Sequence, residues 1–219
     1  MAGLVLLVVP SSLRAQGGPV SAEIAVVSDY RFRGVSASER GPALQGSIDA
    51  RSSNGFVAGI WASTIADYHG SNVELDIYAG VRRKLGGFDI TLTAYGFVYP
   101  GGKRVNTYDF EALIIRDFGV GSSETLIAVA PGQANSRRTN LYIAETIAIP
   151  VWHDGPAARA HLGWEDGMVH SKWDMSFGVI QNFDAFQLSL MYVVTNYAGH
   201  DQASTNGQAG LVGSVRVKF

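Results

Sequence analysis

Val73-Glu74-Leu75-Asp76-Ile77-Tyr78-Ala79-Gly80-Val81-Arg82 decides the fold of this chain. Apolar residues hold the odd positions, and the even positions hold two carboxylates, a tyrosine, a glycine and an arginine. Successive side chains on a strand point to opposite faces, so a period of two means one wet face and one dry face. A helix would scatter the same charges around its circumference. The pattern returns in Trp173, Met175, Phe177 and Val179 set against Lys172, Asp174, Ser176 and Gly178. It returns again at the end of the chain, where Leu211, Gly213, Val215, Val217 and Phe219 alternate with Val212, Ser214, Arg216 and Lys218.

Extended along the sequence, the alternation predicts about twelve strands, near 21–34, 40–52, 56–66, 72–84, 88–99, 105–116, 122–131, 138–150, 157–165, 171–181, 186–197 and 208–219. Their length suits tilted strands that cross a bilayer. Strands 56–66 and 122–131 carry apolar residues on both faces and cannot be oriented from pattern. The expected fold is all-β, an antiparallel transmembrane β-barrel in one domain over 16–219. Composition agrees: 47% hydrophobic residues, only 16% charged, 26 glycines and no cysteine in 219 residues. Beyond the first ten positions no apolar run approaches the roughly 18 residues of a membrane helix. A net charge of −2 offers no basic surface for nucleic acid. Residues 1–15, with the apolar run from Ala2 to Val9 and then Pro10, Ser11, Ser12 and Ala15, read as a cleaved export signal, although no basic residue precedes the run.

Connections and aromatics point the same way. Ser53-Asn54-Gly55, Leu85-Gly86-Gly87, 117–121, 153–156 and 182–185 are compact turns at one end, whereas Gly132 to Arg138 and Ala198 to Gln208 are longer and polar. Outer-membrane barrels show this asymmetry, with short periplasmic turns and longer external loops. Tyr30, Phe32, Tyr68, Tyr99, Tyr108, Trp164, Trp173 and Tyr197 fall near the external strand ends. Phe56, Phe88, Phe118, Trp152, Phe183, Phe186 and Phe219 fall near the periplasmic ends, as two interfacial belts would. The terminal Phe219 on an alternating strand suits recognition by barrel-assembly machinery. A soluble lipocalin-like barrel would show the same alternation turned inside out. The belts, the terminal Phe and the export segment favour outer-membrane lipid as the solvent.

Ser28-Asp29-Tyr30-Arg31-Phe32-Arg33-Gly34-Val35-Ser36 resembles the SDYxFRGxS opening of the TorF family of proteobacterial porins. Pro42-Ala43-Leu44-Gln45-Gly46, Gly55-Phe56, Ile60-Trp61-Ala62-Ser63, Glu74-Leu75-Asp76-Ile77-Tyr78-Ala79-Gly80 and Tyr99-Pro100-Gly101 follow in the family's order, along most of the chain. Ala37-Ser38 departs from it, standing where the family has Gln-Thr. The resemblance implies an outer-membrane barrel that acts as a pore.

Alternation assigns the candidate lumen and solute contacts: Asp29, Arg31, Arg33, Asp49, Arg51, Glu74, Asp76, Arg82, Glu111, Arg159 and Arg216, with Glu23, Asp109, His161, Lys172, Asp174 and Lys218 on the same face. Each Arg or Lys facing lipid at mid-depth would cost about 2–4 kcal/mol. The mixed signs predict a weakly charge-selective channel for passive diffusion of small polar solutes or ions. The alternative is a non-conducting barrel, its lumen closed by paired charges, with a structural or loop-mediated binding role. Arg31 and Arg33, beside Asp29 at the outer end of the first strand, are expected either to form a constriction or to pair structurally with Asp29 or Asp49. Glu145, among Leu141, Ile143, Ile147 and Ile149, is expected to need a bulge to turn inward. The five histidines show no metal-ligand spacing, no nucleophile elbow occurs, and no cofactor motif is present. An enzyme is therefore not expected.

Overall fold

The computed structural model describes residues 19–133, 136–168, 171–197 and 206–219. The segment read as an export signal and parts of three connections, with His170 and His200, lie outside them. The strands are β1 (Val20–Val27), β2 (Arg31–Phe32), β3 (Val35–Ser36), β4 (Ala43–Arg51), β5 (Phe56–Tyr68), β6 (Ser71–Leu85), β7 (Phe88–Val98), β8 (Thr107–Asp117), β9 (Ser122–Ala130), β10 (Asn140–Pro150), β11 (Ala157–Asp166), β12 (Lys172–Asn182), β13 (Phe186–Thr195) and β14 (Gly210–Lys218). Twelve of them, all but β2 and β3, form one closed antiparallel barrel in which each strand pairs with its neighbours in sequence.

Closure joins the first and last strands. β1 pairs with β14 from Glu23 opposite Lys218 to Val27 opposite Ser214. Phe219 extends the seam, its N–H donating to the Ala22 carbonyl (2.8 Å) and its own carbonyl accepting from the Ala22 N–H (3.1 Å). A closed barrel leaves no edge of unpaired backbone groups, which hydrocarbon would not tolerate. The start of β1 and the end of β14 thus lie at one end, here called the terminal end. Its connections are short, such as the turn at Gly86 and Gly87, whose φ angles of 56° and 84° are the mirror-image values a two-residue hairpin requires.

The faces follow the sequence reading. Outward positions are apolar and exposed, among them Ile24, Leu44, Ile60, Ile77, Leu92, Phe110, Ile147, Phe177 and Leu190. Phe56, Phe88, Phe118, Trp152, Phe183, Phe186 and Phe219 ring the terminal end, and Tyr108, Trp164 and Trp173 stand outward near the other. Four of the expected belt members are not in a belt: Tyr30, Phe32 and Tyr99 are buried inside the barrel, and Tyr68 packs against them. The two strands without a clear pattern also resolve. β5 turns Val57, Gly59, Trp61 and Ser63 inward, and β9 turns Ser122, Glu124, Leu126 and Ala128 inward. β10 runs in unbroken register with both neighbours, so no bulge reorients Glu145. It stays on the outer face, where the Thr125 hydroxyl opposite donates to it at 2.5 Å.

Ile77 sits outward in the middle of β6, opposite Ile60 and Gly96, and is half exposed. Ile77→Arg is expected to cost about 2–4 kcal/mol, the penalty for a cation on the lipid face at mid-depth. Denaturant unfolding of the protein in lipid vesicles measures it, with Ile77→Leu as a volume control. An arginine tolerated at no cost would mean that this face does not meet hydrocarbon.

A lumen crossed by an inner hairpin as the candidate functional site

The first expected strand, 21–34, is not one strand. β1 ends at Val27, and residues 28–42 turn inward as a connection containing the small β2–β3 hairpin. Arg31 pairs with Ser36 and Phe32 with Val35. Arg33 and Gly34 make the two-residue turn, with φ angles of 45° and 83°. Such turns favour Asn-Gly, and a non-glycine side chain in this region costs on the order of 1 kcal/mol or more. The strain at Arg33 is offset by what its side chain reaches.

The guanidinium of Arg33 crosses to the far wall. Its Nη1 donates to Glu165 Oε1 on β11 at 2.5 Å, and Nη2 lies 3.6 Å from Asp109 Oδ2 on β8. The group lies over the Tyr142 ring of β10, 4.2 Å from its centroid, and 4.6 Å from that of Phe32. Lys172 on β12 donates to the Arg33 carbonyl and to Glu165 Oε2, both at 2.8 Å. Asn140 donates to Glu165 Oε1 at 2.7 Å. Every charged side chain in this set is buried, so each is paired where water screens least. Gly34 fits where no larger residue would, since a Cβ there would stand 2.7 Å from Asp174 Cβ and 2.8 Å from Thr195 Cβ.

The other flank of the hairpin is held as firmly. Asp29 accepts from Arg31 Nε (2.6 Å) and the Ser36 hydroxyl (2.6 Å). Arg31 Nη1 also donates to the carbonyls of Gly34 (3.1 Å) and Gln208 (2.7 Å). Tyr30 donates to Glu74 Oε2 at 3.1 Å and lies against Trp61, their centroids 5.4 Å apart. Tyr99 donates to the second oxygen of Glu74 at 3.3 Å. The hairpin thus touches the wall from β5 round to β13.

Dimensions decide what this does. Twelve strands spaced about 4.8 Å apart and tilted about 40° give a backbone radius of about 12 Å, so inward side chains leave a bore of roughly 12 Å. A two-stranded hairpin with its side chains is about 10 Å across. It therefore fills most of the cross-section near the end opposite the terminal one, as the full burial of Glu74, Asp76 and Tyr142 reflects. Below it, Glu23, Ser47, Asp49, Gly59, Arg82, Asp89, Thr91 and Thr93 face inward and are partly exposed. This charged, partly exposed inner face runs along β1 and β4–β7 from the terminal end up to a buried cluster of Trp61, Tyr78, Tyr95 and Phe97, into which Tyr30 and Phe32 pack.

Charge is divided along the same axis. Near the hairpin the walls carry Glu74, Asp76, Asp109, Glu111, Glu165 and Asp174 against Lys172 and the inserted Arg33. Towards the terminal end lie Arg51, Arg82, Arg159, Arg216 and Lys218 with Glu23, Asp49, Asp89 and Glu124. There Arg82 Nε donates to Asp89 (2.6 Å), Arg159 to Glu124 (3.1 Å) and Arg216 to Glu23 (3.0 Å). Tyr78 donates to Asp49 at 2.5 Å. Midway, His161 lies between Asp174 (3.0 Å) and the Thr146 hydroxyl (2.8 Å).

A family of bacterial proteins described as of unknown function, Gcw_chp, has a model that matches residues 14–217. The chain belongs to the Gcw_chp family. Comparison with curated proteins gives no match. Among solved structures the KdgM porin is similar, at 11% identity over 91% of this chain and 98% of that one, with a TM-score of 0.63. The NanC porin is similar at 8% identity, 91% and 98% coverage and a TM-score of 0.61. LpxR from Salmonella typhimurium follows at 9% identity, 91% and 99% coverage and a TM-score of 0.50. At such identities the shared feature is the fold, a barrel of the outer-membrane kind.

In this Gcw_chp member the sequence candidates Asp29, Arg31, Arg33, Asp49, Arg51, Glu74, Asp76, Arg82, Glu111, Arg159 and Arg216 all lie on the inner side of the wall or in the hairpin within it. They do not form one cluster. Arg31 keeps Asp29 as its partner and Asp49 takes Tyr78, while Arg33 leaves both for Glu165. Arg51 is exposed at the terminal rim. Glu165, Glu124 and Asp89, each paired to a buried or half-buried arginine, are absent from the sequence candidates. Parity with Arg159 and His161 places Glu165 inward, a signal the sequence does carry. Glu124 has no such cue, because its strand is apolar on both faces.

Proposed function

We propose that this chain is an outer-membrane channel for small polar solutes or ions, with the terminal end in the periplasm and the 28–42 connection as its external constriction. The observation that carries this reading is the charged, partly exposed inner face towards the terminal end, which is closed off by an inserted connection and the aromatic cluster around it rather than by strands of the barrel. The motifs shared in order with TorF-family porins support it. In that reading residues 1–15 direct export, and assembly machinery recognises the last strand through Phe219. Deleting Phe219 removes two seam hydrogen bonds and an exposed terminal aromatic. The expected result is a several-fold loss of folded protein in the outer membrane, read by cell fractionation and immunoblot, against an unchanged yield on refolding into detergent.

Selectivity is proposed to be weak. An acidic zone and a basic zone in series oppose one another, so neither sign passes freely. The alternative reading, a non-conducting barrel, has the buried Arg33–Glu165–Lys172 network in its favour, since that network holds the constriction shut. Planar-bilayer recording of the refolded protein separates the two. Single-channel steps support the channel. Silence from inserted protein, and equal silence from a barrel without the hairpin, supports the closed barrel.

A further inference from the structure

Arg33 occupies a pocket whose polar walls belong to the barrel, with Phe32 of the hairpin against one side. Glu165, Asp109, Asn140 and Tyr142 come from β11, β8 and β10, and they receive a planar cation through a carboxylate and a ring face. That combination suits a guanidinium better than a point-like ammonium, because the flat group can stack and fork its hydrogen bonds at once. Arg33 does not saturate the pocket. Asp109 Oδ1 and Glu111 Oε1 are buried without a hydrogen-bond partner, and the 3.6 Å approach of Arg33 to Asp109 is too long for one. The side chain starts from a turn residue in a strained conformation, and from there it leaves both acceptors unused.

We propose that this pocket is a binding site for small organic cations bearing a guanidinium group, which Arg33 fills as an internal competitor. The route by which such a solute arrives rests on the channel reading; the site itself does not. A solute that displaces Arg33 gains acceptors that the tethered side chain leaves unused, and it releases the hairpin tip from the far wall. The pocket would then be both the recognition point and the trigger for widening.

The test uses the folded chain in detergent, with methylguanidinium as the probe and N-methylurea as its neutral isostere, followed by titration calorimetry. Arg33→Ala vacates the pocket and should raise methylguanidinium affinity about tenfold or more over the unaltered protein, the scale set by one charge-assisted hydrogen bond. N-methylurea should show no gain, and adding Glu165→Gln to Arg33→Ala should abolish it. Equal affinity in the two proteins, or equal binding of the neutral isostere, overturns the proposal. If Arg33→Ala does not refold, the barrel without the hairpin takes its place in the same titration: it should bind methylguanidinium and not N-methylurea, and equal binding of the two overturns the site. Should the hairpin-free barrel be silent while Arg33→Ala binds the probe, the channel reading fails and the site stands.

Discussion

Joining Val27 to Ala43 through an Asn-Gly turn, in place of residues 28–42, is expected to raise single-channel conductance about threefold or more, because a hairpin about 10 Å across leaves about a third of the cross-section of a bore of roughly 12 Å. The splice is available because Val27 and Ala43 already face one another in the β1–β4 register. The barrel itself should survive. Its ladder is continuous without the hairpin, Glu165 keeps Lys172 and Asn140, and Glu74 keeps Tyr99. The excised segment contains Asp29, Arg31, Arg33, Glu39 and Arg40, so its loss removes one net positive charge and should move the reversal potential towards cations. Conductance unchanged from the unaltered protein would show that the hairpin is not the constriction.

The strands were legible because lipid enforces the period of two on every one of them. Eleven expected strands coincide with observed ones to within a few residues, and inward parity correctly places residues such as Glu74, Arg159 and Arg216. The hairpin was not legible, for a physical reason. Asp29, Arg31 and Arg33 alternate with Tyr30 and Phe32, a pattern that serves a barrel strand and an inserted hairpin equally well. The distinguishing signal is the turn, and Arg33-Gly34 is a poor match to the Asn-Gly that usually announces one. What selects the inward course lies far along the chain, in Glu165 and Lys172, 132 and 139 residues from Arg33.

The structure also gives the SDYxFRGxS resemblance a physical content. The Ser28 hydroxyl accepts from the Gly213 N–H, and Asp29 gathers the hairpin's hydroxyls. Tyr30 binds Glu74, Phe32 lies by the guanidinium, and Ser36 donates to Asp29. Gly34 alone fits the seat between Asp174 and Thr195. The open positions of the signature are Arg31 and Val35. The motif reads as instructions for inserting a plug, not as part of a strand.

Glu165 is where the largest thermodynamic effect is expected. Its two oxygens serve Arg33 at 2.5 Å, Lys172 at 2.8 Å and Asn140 at 2.7 Å, and all three ionic groups are buried. Glu165→Ala leaves two buried cations facing each other's charge, with Asp109 at 3.6 Å as the counter-ion that Arg33 retains. Removing one partner of a buried ion pair costs about 3–5 kcal/mol, mostly as the penalty on the charge left behind. Arg33→Ala should cost less, because Glu165 retains Lys172 and Asn140. Adding Arg33→Ala to Glu165→Ala should therefore recover part of the loss, giving a coupling of about 1–3 kcal/mol. Denaturant unfolding in lipid vesicles measures all three proteins. The barrel has one escape that a packed core lacks: the hairpin can withdraw and carry Arg33 into water. If it does, the measured loss in Glu165→Ala is capped at the cost of releasing the hairpin, and the same variant conducts like the spliced barrel. A small loss of stability without raised conductance would mean that the network does not hold the hairpin in place.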